Sequence, residues 1–228
     1  MRTTTVGDVR ILLPDLDPAD LDQVTALPDN DLRDGLIDGV SWRGEQLADQ
    51  SIRGCRITGA DLGEISWEGG ALYGCEIVRT DLSGATVTGV SIERCAVTGS
   101  RFTGSRLTDV RLKDVLFENC RFDYATLNRV SAAGSVAFID CTLAHGSWSS
   151  CRLSGLVMRS CDLGGLELDS CRLDGADLRD SRLHGFTASL DNLQGVMLSE
   201  DQLPELTRLA VDALGIVVHA EVADNHDR

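Results

Sequence analysis

Eight cysteines and four histidines are the residues of this 228-residue chain whose types could do chemistry. Cysteines can bridge, hold a metal or attack as thiolates. Their spacing argues for a different use. Cys55, Cys75 and Cys95 are 20 residues apart, as are Cys141 and Cys161, and Cys151 and Cys171; Cys120 and Cys141 are 21 apart. No C-x-x-C pair or Cys/His cluster supports zinc. Such regular spacing reads instead as small buried hydrophobes in a repeating structure, with disulfides or a metal site as the alternatives. His145, His184, His219 and His226 are scattered. Ser147-Trp148-Ser149-Ser150 has no nucleophile-elbow setting. Gly164-Gly165 has no strand-loop-helix around it to cradle a phosphate. The expectation is a chain with no catalytic residue, no cofactor and no metal.

The element that would position these residues is a five-residue unit. Stepping by five from Leu32, through Ile37, Trp42, Leu47 and Ile52 to Leu127, every one of twenty positions is apolar. The series slips by one residue within Asn128 to Ala137, then resumes as Phe138, Leu143, Trp148 and onward to Leu183, ten more apolar positions. Period five is neither the 3.6 of a helix nor the 2.0 of a strand. A chain that turns a corner every five residues aims one of each five at a central axis. Two positions earlier stands a second inward residue, which reads Cys55, Ala60, Cys75, Ala85, Cys95, Ser100, Ser105, Cys120 and Ala125; all eight cysteines fall there. Two positions after each large residue lies the corner, which holds fourteen of the 23 glycines. Glycine suits turns at positive φ, and Asp, Ser and Asn fill many other corners as turn chemistry predicts.

The units Gly59-Ala60-Asp61-Leu62-Gly63, Arg79-Thr80-Asp81-Leu82-Ser83 and Gly175-Ala176-Asp177-Leu178-Arg179 resemble those of pentapeptide-repeat proteins. The resemblance covers Asn30 to about Leu198. It implies an all-β solenoid, a right-handed quadrilateral β-helix with four repeats per coil. About seven and a half coils at strand spacing would make a rod roughly 36 Å long.

The ends break the period. Residues 1–29 are expected to form an N-terminal cap, with a short strand at Val9–Leu13 and a brief helix from Asp17-Pro18 to about Leu27. Residues 30–198 form the β-helix. Phe186 to Leu190 leaves the register, and Leu193 and Leu198 suit a last partial coil. Residues 199–228 read as a helix, a short strand and a frayed tail. Ser199 with Gln202 makes a capping-box pattern, and Asp201 suits Pro204 in the first turn. Leu203, Leu206, Ala210, Ala213 and Leu214 fall on one helical side, Gly215 is a stop, and Ile216, Val217 and Val218 follow as an apolar strand. This layout is similar to the C-terminal end of the quinolone-resistance members of the family, the Qnr and MfpA proteins. The resemblance implies a homodimer through that region; a simple end cap is the alternative.

Net charge is −15, which disfavours direct binding to nucleic acid or an anionic membrane. The chain has no signal-peptide pattern and no long apolar run, so a cytoplasmic protein away from the membrane is expected. Function then lies on the outside of the rod, and the reading is a non-catalytic interaction or structural module with a protein partner. The quinolone-resistance resemblance implies a second reading, an acidic rod that mimics duplex DNA and binds DNA gyrase or another type II topoisomerase. The charge distribution fits this poorly. Residues 30–198 hold 23 acids and 17 bases, so more than half of the net charge lies in the ends. The side with Leu47, Trp67, Leu107, Trp148 and Leu168 is mildly acidic, with Asp49, Glu68, Asp109, Glu167 and Asp169 against Arg106 and Arg129. The side with Ile52, Leu72, Ile92, Leu112, Leu153 and Leu173 is basic, with Arg53, Arg94, Arg111, Lys113, Arg152 and Arg172 against Glu93, Asp114 and Asp174. A third side carries outward Leu116, Ala137, Ile139 and Val157, an apolar patch that either docks a partner or packs under a local loop.

Overall fold

The computed structural model describes residues 1–27 and 31–218. The five-residue beat winds the chain into a four-sided β-solenoid. Side chains meet their counterparts 20 residues on: Leu47 pairs with Trp67, Trp67 with Val87 and Val87 with Leu107, all in parallel. One side is a sheet of eight short strands, from Gln46–Ala48 to Thr187–Ala188, one from each coil. Two adjoining sides share a second sheet, in which Ser91–Thr98 and Arg111–Glu118 each run through the corner as one strand. The fourth side is a ladder of single bridges from Ser41 through Asp61, Asp81, Arg101 and Arg121 to Arg182.

All thirty corner residues have positive φ, between 49° and 72°, and sixteen of them are not glycine. Left-handed backbone costs an L-residue about 1–2 kcal/mol. The coil repays it in hydrogen bonds between turns, such as Asp34 N to Arg53 O at 2.9 Å and Arg79 N to Thr98 O at 2.9 Å.

The interior is filled as the alternation predicts, with one difference. The second inward position is small in many coils, yet Ile65, Val90, Val110, Val115, Val130, Leu156 and Leu166 also occupy it and are buried. Midway along the shaft the filling is aromatic. Phe117 and Phe138 stack at 4.6 Å, and Phe117 meets Phe122 edge-on at 5.2 Å. Nearer the N-terminus the filling is mostly aliphatic, with Trp42 and Trp67 among it, and leaves an apolar void of about 60 Å³ beside Ala85, Val87 and Leu107.

The slip resolves to a small bulge. Leu112 pairs with Ala132, 20 residues on, whereas Val115 pairs with Val136, 21 residues on. The extra residue is therefore absorbed between Ala132 and Val136, where Gly134 passes so close to Lys113 that a Cβ would lie 2.8 Å from its Cγ.

The N-terminal segment departs from expectation. Strand β1 (Arg2–Val6) and β2 (Val9–Leu13) form an antiparallel hairpin. It lies against the flank of the solenoid, where Ile11 and Leu13 are fully buried. The helix expected up to Leu27 is only a 3-10 turn at Pro18–Asp20, capped by the Asp17 carboxylate on Ala19 N. Strand β3 (Asp22–Gln23) then adds to the first coil, with Asp22 N donating to Asp34 O and Val24 N to Leu36 O. A strand satisfies the open backbone at that end, which a helix would not.

At the other end Phe186 and Ala188 are buried, and Ala188 pairs with Leu168, so the register holds beyond Leu183. A 3-10 turn at Glu200–Gln202 leads into helix α1 (Leu203–Leu214), and Gly215 stops it at φ 63°. Leu209 is the buried residue of α1, whereas Leu203, Ala213 and Leu214 face outward. Ile216 to Val218 form no strand: they are exposed and irregular. His219 and the rest of the expected tail lie outside the described residues.

Candidate functional site: the outer surface of the coil

The eight thiols are free and buried. Each Sγ hydrogen-bonds the carbonyl two residues back, as Cys75 does to Tyr73 at 3.3 Å. Successive rungs also touch: Cys55 N donates to Cys75 Sγ at 3.5 Å and Cys120 N to Cys141 Sγ at 3.4 Å. Burial pushes the Cys75 thiol well above its ordinary value, away from a reactive thiolate. The interior void is lined by aliphatic and aromatic side chains with one hydroxyl, Ser105, and holds no acid or base.

His145 and His184 flank a shallow trough floored by Gly164, Gly165 and Gly185. His145 stacks on exposed Tyr124 at 5.3 Å, and His184 Nδ1 lies 3.5 Å from Glu205. Asp162, beside them, is held by Arg182 at 2.8 Å. Among the described residues no three His, Cys, Asp or Glu side chains are grouped to hold a metal, and no helix is long and apolar enough to cross a membrane.

The apolar patch is not open. Ala137 and Val157 are buried beneath the hairpin together with Ala96, and Leu116 and Ile139 pack at the edge of the same cluster. The covering element is the N-terminal hairpin, not the loop at the slip. Sequence reasoning placed residues 1–29 at the end of the rod and so missed their use on its flank; the alternation Val9, Ile11, Leu13 was the available signal.

The hairpin turn sits over a buried ion cluster. Asp177 is 3% exposed and accepts from Arg159 and Arg179, each at 2.8 Å. Burial alone would raise its pKa, but the two arginines outweigh that and bring it to about 2. Asp8, in the turn, lies 3.9 Å from Arg179. In the sequence Asp177 and Arg179 read only as part of a repeat unit and Asp8 and Arg159 as solvated charges, so the cluster was not legible there.

The mildly acidic side is broken in the middle. Arg129 grips Asp109 through two bonds of 2.6 Å, and those bonds hold the Asp109 carboxyl below its ordinary value. Asp49 and Glu68 lie toward one end of the side, Glu167 and Asp169 toward the other, with Thr86, Thr88, Thr108, Thr126 and Asn128 between them. The basic side is also partly neutralised, since Glu93 takes Lys113 at 2.8 Å and lies 3.6 Å from Arg94.

Gln202 closes the last coil. Its amide donates to Leu178 O at 2.8 Å and Ser181 O at 2.6 Å, and its Oε1 accepts from Ser199 N at 2.7 Å. The capping-box pattern was legible in the sequence; the plug it forms on the solenoid was not. Of the residues expected to mark a dimer face, Leu203, Leu214, Ile216 and Val218 are exposed with Val217, while Leu206 and Ala210 are half-buried.

Comparisons with known proteins agree with this architecture. Family models described as pentapeptide repeats match residues 82–126 and 149–185. No curated protein matches the sequence. Among solved structures, a trypsin-treated variant of QnrB1, a plasmid-mediated fluoroquinolone resistance protein, aligns at 17% identity and TM-score 0.43, covering 87% of this chain and 96% of its own. HetL, a protein involved in heterocyst differentiation regulation from the cyanobacterium Nostoc, aligns at 17% identity and TM-score 0.27, covering 75% and 90%. Thirty apolar positions at a spacing of five and corners in register extend over the whole coil the pattern of pentapeptide repeats that the family models match in those two stretches.

Proposed function

We propose that the chain is a non-catalytic protein-interaction module that works through the outside of its coil. One observation carries this reading: the inward side chains fill the shaft, and the outward ones stand in straight columns at 20-residue intervals. Such a surface is rigid and flat, and it loses little conformational entropy when a partner docks. The exposed apolar end, from Leu203 and Leu214 to Ile216 and Val218, suits a second copy of the chain, which fits the dimer implied by the family resemblance. The experiment is affinity capture from native cell extract with the intact chain and with variants altered on one side of the coil at a time. A partner that is lost with one side only supports the reading; a turnover activity copurifying with the pure chain sinks it.

The gyrase-binding reading is a finer claim within this one, and the grip of Arg129 on Asp109 counts against it. A DNA mimic needs an unbroken run of acidic charge, near one per ~1.7 Å of axis. A supercoiling assay with purified protein decides the point. Absence of both inhibition and quinolone protection at micromolar protein removes gyrase and leaves the module.

A further inference from the structure

Around this coil, opposite charges meet from one turn to the next. Arg56 meets Glu76, Glu93 meets Lys113, Asp81 meets Arg101, Asp109 meets Arg129 and Asp162 meets Arg182, at 2.6 to 3.8 Å. Pairing in register makes this the cheapest arrangement, because residues 20 apart are cross-strand neighbours and like charges there repel. Like charges do fall in register elsewhere, as Asp61 with Asp81 and Arg101 with Arg121, but there Arg43 pairs with Asp61 and Arg101 with Asp81; another column has no such relief. Arg111 pairs in register with Ser131, and Ser131, Arg152 and Arg172 bridge in succession. Three guanidiniums and a hydroxyl therefore share one line. No described carboxylate forms an ion pair or hydrogen bond with any of the three arginines. A shallow depression between Arg152 and Arg172 is lined by Ser150, Cys151 and Ser170 and by no acid. Arg33 and Arg53 also stack in register, but Asp15 and Asp34 line their groove and supply negative charge there.

We infer that the column Arg111–Ser131–Arg152–Arg172 docks a short acidic segment of a partner polypeptide. Planar guanidiniums present paired donors matched to carboxylates, and an anion between two of them removes their mutual repulsion. Three coil steps span roughly 14 Å at strand spacing, which four or five extended residues cover. A short segment brings few charges against a body of net charge −15, most of it screened beyond about 8–10 Å. A duplex nucleic acid brings a long run of charge against the same field. The inference deepens the interaction-module reading. It is measured on the purified chain, so its failure removes this column and leaves that reading to the capture experiment.

The test is fluorescence anisotropy of a labelled hexaglutamate peptide with the full chain at low salt. Saturable binding is expected, weakened at least tenfold in R152A/R172A and three- to tenfold in R111A, and unchanged within twofold in R33A/R53A. All three variants replace exposed side chains, and matched thermal midpoints confirm their folds. Lack of saturation at millimolar peptide, equal loss in R33A/R53A, or a 20-base-pair duplex binding as tightly as the peptide overturns the inference.

Discussion

Phe102 and Phe122 lie in neighbouring coils with ring centroids 4.4 Å apart and planes 3° from parallel. Both also meet Phe117 edge-on, at 6.1 and 5.2 Å. The rings lock two sides of the shaft together midway along its length. Phe122→Ala is expected to cost about 3–5 kcal/mol, the range for an aromatic removed from a core that cannot collapse. Leu82→Ala, at a half-buried site in the same column, should cost less. Denaturant unfolding of the two variants checks this, and equal losses would show that the aromatic cluster is not the stronger lock.

Asp177 makes stability depend on acid. Its folded pKa, about 2, lies below the unfolded value near 3.9. A depressed carboxyl stabilises the fold above its unfolded pKa, and that contribution fades as pH falls from about 4 toward 2. The amount at neutral pH is about 2.5 kcal/mol. Asp177→Asn should cost about 2–3 kcal/mol at pH 7, because it leaves Arg159 and Arg179 facing each other half-buried. The wild-type advantage should shrink below pH 4. A difference between the two proteins that stays constant from pH 7 to pH 3 would contradict this assignment.

The hairpin should detach without unwinding the coil. Among the described residues its backbone pairs with itself alone, and it meets the solenoid through side chains such as Ile11 and Leu13. Ile11→Asp places a charge where the apolar contact was, and the hairpin should lift away. Ala96, Ala137 and Val157 then become accessible, so an apolar fluorescent dye should bind while the far-ultraviolet circular dichroism of the coil persists. Cooperative loss of the whole spectrum would instead make the hairpin part of the core.

The fold was legible because one apolar residue in five is a signal that no helix or strand produces, and because the thiols repeat it at 20. The surface was less legible. Arg129 and Asp109 are 20 apart, and once the coil has four sides their ion pair follows from numbering alone. The pairing of Arg159 with Asp177 is offset by 18, as is that of Arg43 with Asp61; each joins the residue after one large inward side chain to the residue before another, a diagonal that the beat of 20 does not announce. Nothing in the five-residue beat says that residues 1–14 fold back over Val157. Gln202 was visible as a capping residue, but its bonds to Leu178 and Ser181 depend on how α1 settles on the last coil. Local periodicity fixes the shaft, whereas tertiary docking of the two ends fixes what covers it.

The corners offer a test of the repeat itself. Arg79 has φ 49° and Gly104 has φ 66°, and both occupy the same step of their repeats. A side chain in left-handed backbone costs about 1–2 kcal/mol, offset in part by the greater freedom of glycine in the unfolded chain. Gly104→Ala meets no atom within 4 Å, so its penalty comes from the dihedral alone. It should destabilise by about 1 kcal/mol. Arg79→Gly should stabilise by a few tenths of a kcal/mol up to about 1, since Arg79 forms no ion pair with any described residue. Paired thermal melts of the two variants give both signs at once. If Arg79→Gly melts lower than the parent, the arginine side chain holds its corner through contacts that outweigh the strain of its backbone.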